Sequence, residues 1–309
     1  MVDIQPLSAE LQKVAINELG EVPSRIPQDL QALKDWISMQ PHLRARTDDQ
    51  FLIQFLRGCK YSLEKAKEKI DNYFSIKTKC PALFLTTNID DSEFRRFHNI
   101  GSIGVLPTPL HGNGPRIMVN QYNYPASDFP IEHAINYAAT IHDVLIISDP
   151  QACINGVCYI FDFAKATASH VMAITPTIIK KLIDYYIKSL PFRIKYICAI
   201  NLAPYALHAL QLLMVYAPEK IKDRIFLCGN DLSAIEEHIP KKYFPTEHGG
   251  ENGSLSELYK DFNKVWDAHR QYFKENANYG TDEHLRVGKK MDFEGNVAIG
   301  GSFRKIEVD

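Results

Sequence analysis

The hydrophobic pattern of the chain changes character near residue 100, from helical spacing to alternating strand-like and helix-like segments. Before that point, apolar residues recur every three or four positions, as between Phe51 and Leu56, which predicts amphipathic helices. Asp48 predicts the start of that helix and Gly58 its end. Ser62 predicts the start of the next helix, whose outer face carries Lys65, Glu68, Lys69 and Asp71. The first ninety residues therefore indicate a small helical unit with a solvated outer face.

After residue 100, segments of strand character alternate with segments of helical character. The predicted strands are Arg116–Tyr122, Val157–Phe163, Tyr196–Asn201 and Arg224–Cys228. The predicted helices are Ile131–Ile147, Thr175–Ser189, Tyr205–Tyr216 and Leu255–Tyr272. Nearly all-apolar strands are typical of a sheet that is covered on both faces. The alternation predicts an α/β fold with a largely parallel sheet.

The predicted helix Tyr205–Tyr216 is apolar on almost every side. A helix at a protein surface normally keeps one polar face for water. We therefore expect this helix to be buried on both sides, to cover something apolar, or to meet a membrane. Lys220, Lys222 and Arg224 follow it, and an anionic lipid surface attracts such charges.

Composition narrows the class of protein. The chain has 309 residues, 45% of them hydrophobic, and a formal net charge of -2, so no global field favours nucleic acid as a partner. Six cysteines without a C-x-x-C pair argue against a zinc site. The chain begins without a secretory signal and has no apolar run of about 18 residues. We expect a monomeric cytoplasmic protein that contacts membranes only peripherally and transiently.

Motifs that would indicate an enzyme are missing from the sequence. It contains no phosphate-binding G-x-x-x-x-G-K-[ST] loop, no G-x-G-x-x-G turn, no G-x-S-x-G elbow and no H-E-x-x-H helix. His142 beside Asp143 is compatible with an acid/base pair, but a polar pair at a helix surface or cavity wall is the favoured interpretation. We therefore predict no enzymatic activity, no catalytic residues, no cofactor and no metal site.

Basic residues form a further pattern. Three pairs come from distant parts of the chain: Arg57 with Lys60, Arg193 with Lys195, and Lys220 with Arg224. Residues two apart on a strand, or four apart on a helix, point the same way. The pairs either converge on one anion or are separate solvated charges, and spacing alone favours the second interpretation.

The motifs together resemble one family. The run Asp48–Ala66 is similar to the N-terminal helical region of CRAL-TRIO lipid-transfer proteins, and Phe161–Asn201 and Pro218–Ile225 resemble their lipid-binding domain. Phe244–Gly250 resembles its closing motif. The similarity extends from about residue 10 to about residue 275, and it is greatest to the tocopherol- and retinaldehyde-binding members.

The resemblance implies a fold and its division into domains. The expected fold is α/β: an N-terminal helical bundle, followed by a mixed, mostly parallel sheet that is flanked by helices and holds an apolar pocket with a helical gate. The expected domains are residues 1–92 (helical, CRAL-TRIO N), 93–252 (lipid-binding) and 253–309 (C-terminal helix and tail).

The resemblance also implies three sets of site residues. The pocket set is Ala139, Asp143, Val157, Phe161, Ile174, Leu182, Tyr185, Tyr186, Leu190 and Ile197. The gate set is Tyr205, Leu207, Leu210, Leu212, Leu213, Met214 and Tyr216. The phosphoinositide-binding set is Arg57, Lys60, Arg193, Lys195, Lys220, Lys222 and Arg224.

Three positions depart from the family pattern. Ala139 and Asp143 stand where the resemblance implies two small hydroxyl residues that face the ligand. Cys59 stands where the family has an arginine of the phosphoinositide site, so Arg57 or Lys60 would have to replace it. An ionised Asp143 inside an apolar pocket is costly unless it is paired. Its side chain therefore points away, pairs with a neighbour such as His142, or meets a polar ligand head.

The function implied is that of a carrier. Such a protein binds one small hydrophobic lipid, tocopherol-, retinoid- or isoprenoid-like, in a gated pocket and exchanges it at phosphoinositide-containing membranes. The alternative is a lipid-dependent sensor or regulatory module that acts through a protein partner, with Gly288–Asp309 as a docking arm. Each apolar pocket residue, taken alone, is usually part of an ordinary packed core, and only the resemblance to the family makes some of them pocket lining.

Overall fold

The residues that the computed structural model describes, 2–288 and 291, contain seven strands in two sheets. The strands are β1 (Leu43–Arg44), β2 (Ile103–Val105), β3 (Arg116–Gln121), β4 (Val157–Asp162), β5 (Ile194–Ile200), β6 (Ile225–Leu227) and β7 (Gly280–Thr281). The larger sheet has the order β2-β3-β4-β5-β6. Strand β2 is antiparallel to β3, and β3 to β6 are parallel. The predicted mixed, mostly parallel sheet is therefore confirmed.

Helices precede the sheet and cover it. The helices before β3 are α1 (Ala9–Leu19), α2 (Ile26–Ser38), α3 (Asp49–Gly58), α4 (Leu63–Lys79), α5 (Pro81–Phe84) and α6 (Ser92–His98). The later helices are α7 (Ile131–Ser148), α8 (Pro150–Asn155), α9 (Ala168–Ala173), α10 (Pro176–Ile183), α11 (Pro204–Leu213), α12 (Glu219–Lys222), α13 (Ser233–Glu236) and α14 (Leu255–Glu275). A π-helical turn, Asp184–Ser189, follows α10, and a 3₁₀ turn, Met214–Tyr216, follows α11.

The two faces of the sheet belong to different hydrophobic clusters. Cys158, Ile160 and Cys198 pack on one face with the α14 side of the molecule. Tyr159 and Ile197, one residue along the strands, lie on the opposite face and pack with the N-terminal helices and α7. Side chains alternate between faces along a strand, so one sequence pattern supplies both clusters. Both faces are covered, as the apolar strands predict.

Helix α3 begins after Asp48 and ends at Gly58, as the sequence predicts, but the role of Gly58 differs from the expected one. The Asp48 side chain accepts a hydrogen bond from the Phe51 backbone at 3.0 Å, which confirms the predicted cap. Gly58 is the last residue of α3, but the left-handed conformation expected there occurs at Lys60 and Tyr61. A Cβ atom at Gly58 would overlap the carbonyl oxygen of Pro191. Gly58 therefore permits close contact between α3 and the segment before β5.

Several elements differ from the sequence prediction. Strand β2 was not predicted, because three residues are too short to show an alternating pattern. The helix predicted over Thr175–Ser189 is divided into α10 and the π-helical turn. Strands β1 and β7 pair antiparallel and join the C-terminal segment to the region before α3. Apart from Gly288 and Met291, the suggested docking arm Gly288–Asp309 lies outside the described residues.

No helix within residues 2–288 has the length and apolar character needed to cross a bilayer.

Candidate functional site

A cavity of about 240 Å³ lies between one face of the five-stranded sheet and helices α7, α10 and α11. Its floor is the face that carries Tyr159 and Ile197. Register explains this floor, because Phe161 pairs with Ala199 and Ala199 pairs with Leu227 across three parallel strands. All three of these side chains line the cavity.

Helix α7 provides one wall through a regular stripe. The stripe consists of Ile131, Ala134, Ile135 and Ala138. Their spacing of three, four and seven residues places them on one helical face. Two of the four are alanines, and their short side chains leave space open between the helix and the sheet.

The segment Pro204–Tyr216, which we call the gate helix, covers the cavity. Leu210, Leu213 and Met214 face the cavity. Leu212 and Val215 point outward and are 77% and 72% exposed. The gate helix therefore has one apolar face toward the cavity and another toward solvent, which explains why its sequence lacks a polar face. Exposed apolar patches of this kind mark interaction sites for membranes or proteins.

Half of the predicted pocket residues lie in the cavity wall. The structure places these five there: Phe161, Ile174, Leu182, Tyr186 and Ile197. The other five are buried away from the cavity lining: Ala139, Asp143, Val157, Tyr185 and Leu190. On α7 the reason is where the lining stripe stops. The lining stripe ends at Ala138, with Ala139 at its margin and Asp143 more than a turn beyond its end.

Asp143 points away from the cavity and has its own partners. Lys77 Nζ lies 2.7 Å from Asp143 Oδ1 and 2.5 Å from Oδ2, and the Tyr73 hydroxyl donates to Oδ1 at 2.6 Å. Lys77 and Asp143 are both buried, so the ion pair offsets the cost of removing each charge from water. Of the alternatives for Asp143, the structure supports a side chain that points away, with Lys77 rather than His142 as its partner.

His142 has separate partners in an aromatic cluster. Its ring nitrogens lie 3.3 Å from the Tyr159 hydroxyl and 3.4 Å from the Tyr185 hydroxyl. Burial, and then the positive charge of Lys77, lower the pKa of His142 to about 3. The imidazole is neutral near pH 7 and is fully buried. His142 and Asp143 therefore do not form an acid/base pair, and neither lies at a helix surface or in the described cavity lining.

Arg57 is a structural residue in this fold. Its side chain is buried, and its Nε donates to Glu21 Oε2 at 2.9 Å. Glu21 is buried as well and also accepts from the Tyr61 hydroxyl at 2.6 Å. A guanidinium held in this way cannot reach a headgroup outside the protein, so Arg57 does not replace the arginine that is missing at Cys59.

Three of the other predicted basic residues come close together at one end of β5. Burial, followed by the positive charges of Arg193 and Arg224, lowers the pKa of Lys195. Arg193 donates to the carbonyl oxygen of Ile154, and Arg224 donates to that of Ile194 at 2.6 Å. Lys195 therefore lies between two arginines that are partly engaged by backbone oxygens.

The remaining predicted basic residues lie on the surface. Lys60 and Lys220 are exposed, whereas Lys222 pairs with Glu219 at 2.6 Å. Helix α12 ends at Lys222, so Lys220 and Arg224 do not share a helical face as the spacing suggested. The positive charge of Lys220 contributes to the low pKa of Lys69, which places these two lysines near each other.

Lys69 is a residue whose position the sequence did not predict. It was assigned to a solvated helix face, but its Nζ donates to the carbonyl oxygens of Ile187 at 2.7 Å and Leu190 at 2.6 Å. These carbonyls lie in the last part of the π-helical turn and just after it, and the same turn contributes Tyr186 and Ile187 to the cavity wall. Burial lowers the pKa of Lys69 to about 8. Lys69 thus attaches α4 to the cavity wall, which helical periodicity alone could not reveal.

The chain is similar in sequence to several known proteins. Residues 111–250 match the sequence model of the CRAL/TRIO domain, and residues 22–94 match that of the "Pinta-like, UBA domain". Clavesin-1 of Pongo abelii is 30% identical over 246 residues, which are 79% of this chain and 69% of that protein. "Alpha-tocopherol transfer protein-like" of Mus musculus is 28% identical over 250 residues, 81% of this chain and 72% of that protein. The crystal structure of Sfh5 superposes with a TM-score of 0.48 at 10% identity, covering 85% of this chain and 99% of that one.

Proposed function

The chain belongs to the CRAL-TRIO family, and from this premise we propose that it carries one small hydrophobic lipid and exchanges it at phosphoinositide-containing membranes. Members of the family bind and transfer lipids. One relative is named for α-tocopherol transfer, so tocopherol-, retinoid- and isoprenoid-like lipids are the candidate cargoes. The proposal assigns the helical residues 1–92 and the C-terminal residues 253–309 a supporting role around the lipid-binding residues 93–252.

The cavity beneath the gate helix is the observation that carries the proposal. Its wall is formed by aliphatic and aromatic side chains, with few polar groups, as in sites for small apolar ligands. Burying apolar ligand surface there contributes about 25 cal/mol per Å² before the costs of association. A carrier needs this affinity without chemistry, and we assign no catalytic step to the site.

Release requires the gate helix to move. Its outer apolar face is suited to the bilayer interface, and its inner face covers the cavity. Leu212 and Val215 would dock the gate helix on the membrane. The bilayer would then favour a displaced gate helix, because it can bury Leu210, Leu213 and Met214, which opening in water would expose. Lys195 and Lys220 would hold the protein at an anionic headgroup during this exchange. The membrane thereby shifts the population toward the open form.

Transfer between vesicles tests the role of the gate helix. We expect Leu212→Asp to slow transfer of a fluorescent tocopherol analogue at least tenfold, while cargo binding in solution stays close to the wild-type value. Met39→Asp is the matched control, because Met39 is 68% exposed directly after the end of α2, outside the gate helix. Equal transfer rates for Leu212→Asp and the wild type would contradict release through this helix.

The basic residues are tested separately with vesicles that contain or lack phosphatidylinositol phosphates. We expect the double variant Lys195→Glu/Lys220→Glu to lose the stimulation by the phosphorylated lipid. Arg193 and Arg224 are unsuitable for charge reversal because their side chains also donate hydrogen bonds to backbone carbonyl oxygens. Lys264→Glu is the control, because Lys264 is exposed on α14, which packs against β2 at the opposite sheet edge from β6. Unchanged stimulation in the double variant would refute the headgroup role.

A further inference from the structure

Two buried polar groups in the cavity wall lack hydrogen-bond partners. Asn120 lies near the carboxyl end of β3, and Tyr124 follows the strand; both residues line the cavity. They are 7% and 4% exposed. Neither the side-chain nitrogen Nδ2 of Asn120 nor the hydroxyl of Tyr124 has a partner among the described residues. Buried polar groups in folded proteins are nearly always paired, so these two need an explanation.

An asparagine at position 120 is costly for the protein without a ligand, because its side-chain amide is buried without a partner. In the sheet register it stands between Ile103 on β2 and Phe161 on β4, and both of these also face the cavity. An aliphatic residue would continue the row without burying an unpaired amide. The cost is recovered if a bound molecule supplies the missing partner. Ligands of open α/β sheets commonly bind at the carboxyl ends of the strands, where these groups lie.

The remaining lining limits the charge of that molecule. Among the described residues that line the cavity there is no Asp, Glu, Lys, Arg or His. A carboxylate or phosphate bound inside would be removed from water without an opposite charge, which is far more costly than burying a neutral oxygen. The basic residues at the end of β5 and on α12 do not belong to the lining, so they cannot compensate such a group.

We propose that the cargo is an uncharged lipid with an oxygen at one end, an alcohol, phenol, aldehyde or ketone, and that Asn120 and Tyr124 bind this oxygen-bearing end. The amide of Asn120 donates to the oxygen, and the Tyr124 hydroxyl is the second hydrogen-bond partner. A fatty acid or phospholipid with its charged head inside the cavity does not fit this lining. The inference rests on the proposed carrier function and specifies the class of lipid carried.

A series of ligands on one skeleton tests the choice of head group. Farnesene, farnesol, farnesal and farnesoic acid share a hydrocarbon chain and differ at one end. Their dissociation constants follow from displacement of the neutral dye Nile red at pH 7.5, where the acid is ionised. We expect farnesol and farnesal to bind at least tenfold more tightly than both farnesene and farnesoate. Native mass spectrometry of the purified protein should show an uncharged, oxygen-containing lipid as any co-purified guest.

Variants then assign the effect to the two residues. Asn120→Leu should reduce the preference for farnesol over farnesene about tenfold, with farnesene binding retained. It should also raise the melting temperature of the empty protein, because an unpaired buried amide is removed. Tyr124→Phe should reduce the same preference by severalfold. Tyr185→Phe is the matched control, because this buried hydroxyl faces His142 and Tyr185 lies outside the cavity lining, and it should leave the preference unchanged.

The outcomes separate this inference from the proposed function. If farnesoate binds as tightly as farnesol, or if Asn120→Leu keeps the wild-type preference, the inference is overturned while the protein remains a carrier. If a fatty acid or phospholipid co-purifies, the inference is overturned in the same way. If no member of the series displaces the dye and no guest co-purifies, the carrier function itself fails.

Discussion

Replacing Arg57 with Met distinguishes a structural residue from a headgroup ligand. Arg57 and Glu21 are 1% and 2% exposed, and Arg57 Nε lies 2.9 Å from Glu21 Oε2. The Tyr61 hydroxyl and the Gln12 amide, at 2.6 and 2.8 Å, complete the set of donors around the Glu21 carboxylate. In Arg57→Met the carboxylate keeps two neutral donors but loses its only charged partner in this set.

The expected loss is large because a buried charge is left unpaired. Removing one member of a buried ion pair costs about 3–5 kcal/mol, and a chain of this size loses roughly 2–4 °C of melting temperature per kcal/mol. Arg57→Met should therefore melt on the order of 10 °C below the wild type. The double variant Arg57→Met/Glu21→Leu should recover most of this loss, because no unpaired charge remains.

The pH dependence supplies a second readout for the same pair. Burial by itself would raise the pKa of Glu21, but hydrogen bonds from Arg57, Tyr61 and Gln12 outweigh it and lower the pKa below 4.5. A carboxylate whose pKa is lowered by folding stabilises the protein above its unfolded pKa. That contribution is lost as the pH falls from 4.5 through the folded value. The difference in stability between wild type and Arg57→Met should be largest near pH 7 and should shrink below pH 4.5.

Urea unfolding and vesicle binding, measured on the same preparations, provide the assay. Lys60→Met is the control, since Lys60 is an exposed neighbour just beyond α3, and it should unfold like the wild type. An Arg57→Met protein with wild-type unfolding free energy but weaker binding to phosphoinositide vesicles would refute the structural role.

Three further predictions concern two buried side chains, Lys77 and His142, and the close contact at Gly58. Lys77→Met should lower the free energy of unfolding in urea by about 3–5 kcal/mol, because it leaves the Asp143 carboxylate buried without its charged partner. The double variant Lys77→Met/Asp143→Leu should recover most of this loss. A loss below about 1 kcal/mol in Lys77→Met would contradict the buried ion pair. The pKa of His142 is about 3 in the folded protein and 6.5 in the unfolded chain. The unfolding free energy of the wild type should therefore fall by up to about 1.4 kcal/mol per pH unit as the pH drops below 6.5. In His142→Gln, the unfolding free energy should depend less steeply on pH. Gly58→Ala should cost about 1–3 kcal/mol, because its methyl group would overlap Pro191; thermal unfolding at the wild-type temperature would argue against that contact.

Much of the fold was predictable because it depends on local spacing. The periodicity of apolar residues predicted α3, α7 and α14, and the Asp48 cap is confirmed by its hydrogen bond. The parallel strands β4 and β5 were recognisable as apolar runs, since both of their faces are covered. Short elements such as β2 carry too few residues to show a period, and their pairing depends on a neighbouring strand.

The wall of the cavity was only partly predictable. A pattern of hydrophobic residues indicates which side chains avoid water, but an empty space and a packed core are lined by the same residue types. Tyr185 and Tyr186 are adjacent in sequence, yet Tyr186 lines the cavity whereas Tyr185 stacks on Phe84 at 4.2 Å. The residues from Ile131 to Ala138 lie in a helix that the sequence predicted. That it faces a cavity, however, depends on where α7 lies above the sheet.

By itself, the sequence determined the family, the order of helices and strands, and a helix without a polar face, because each of these depends on residue types at fixed local spacing. Only the tertiary structure decided the roles of the charged groups. Arg57, Lys69 and Asp143 look alike as surface charges in a linear pattern, but long-range contacts pair each of them inside the fold. The physical reason is that the cost of burying a charge depends on its partners, which come from residues far away in the chain.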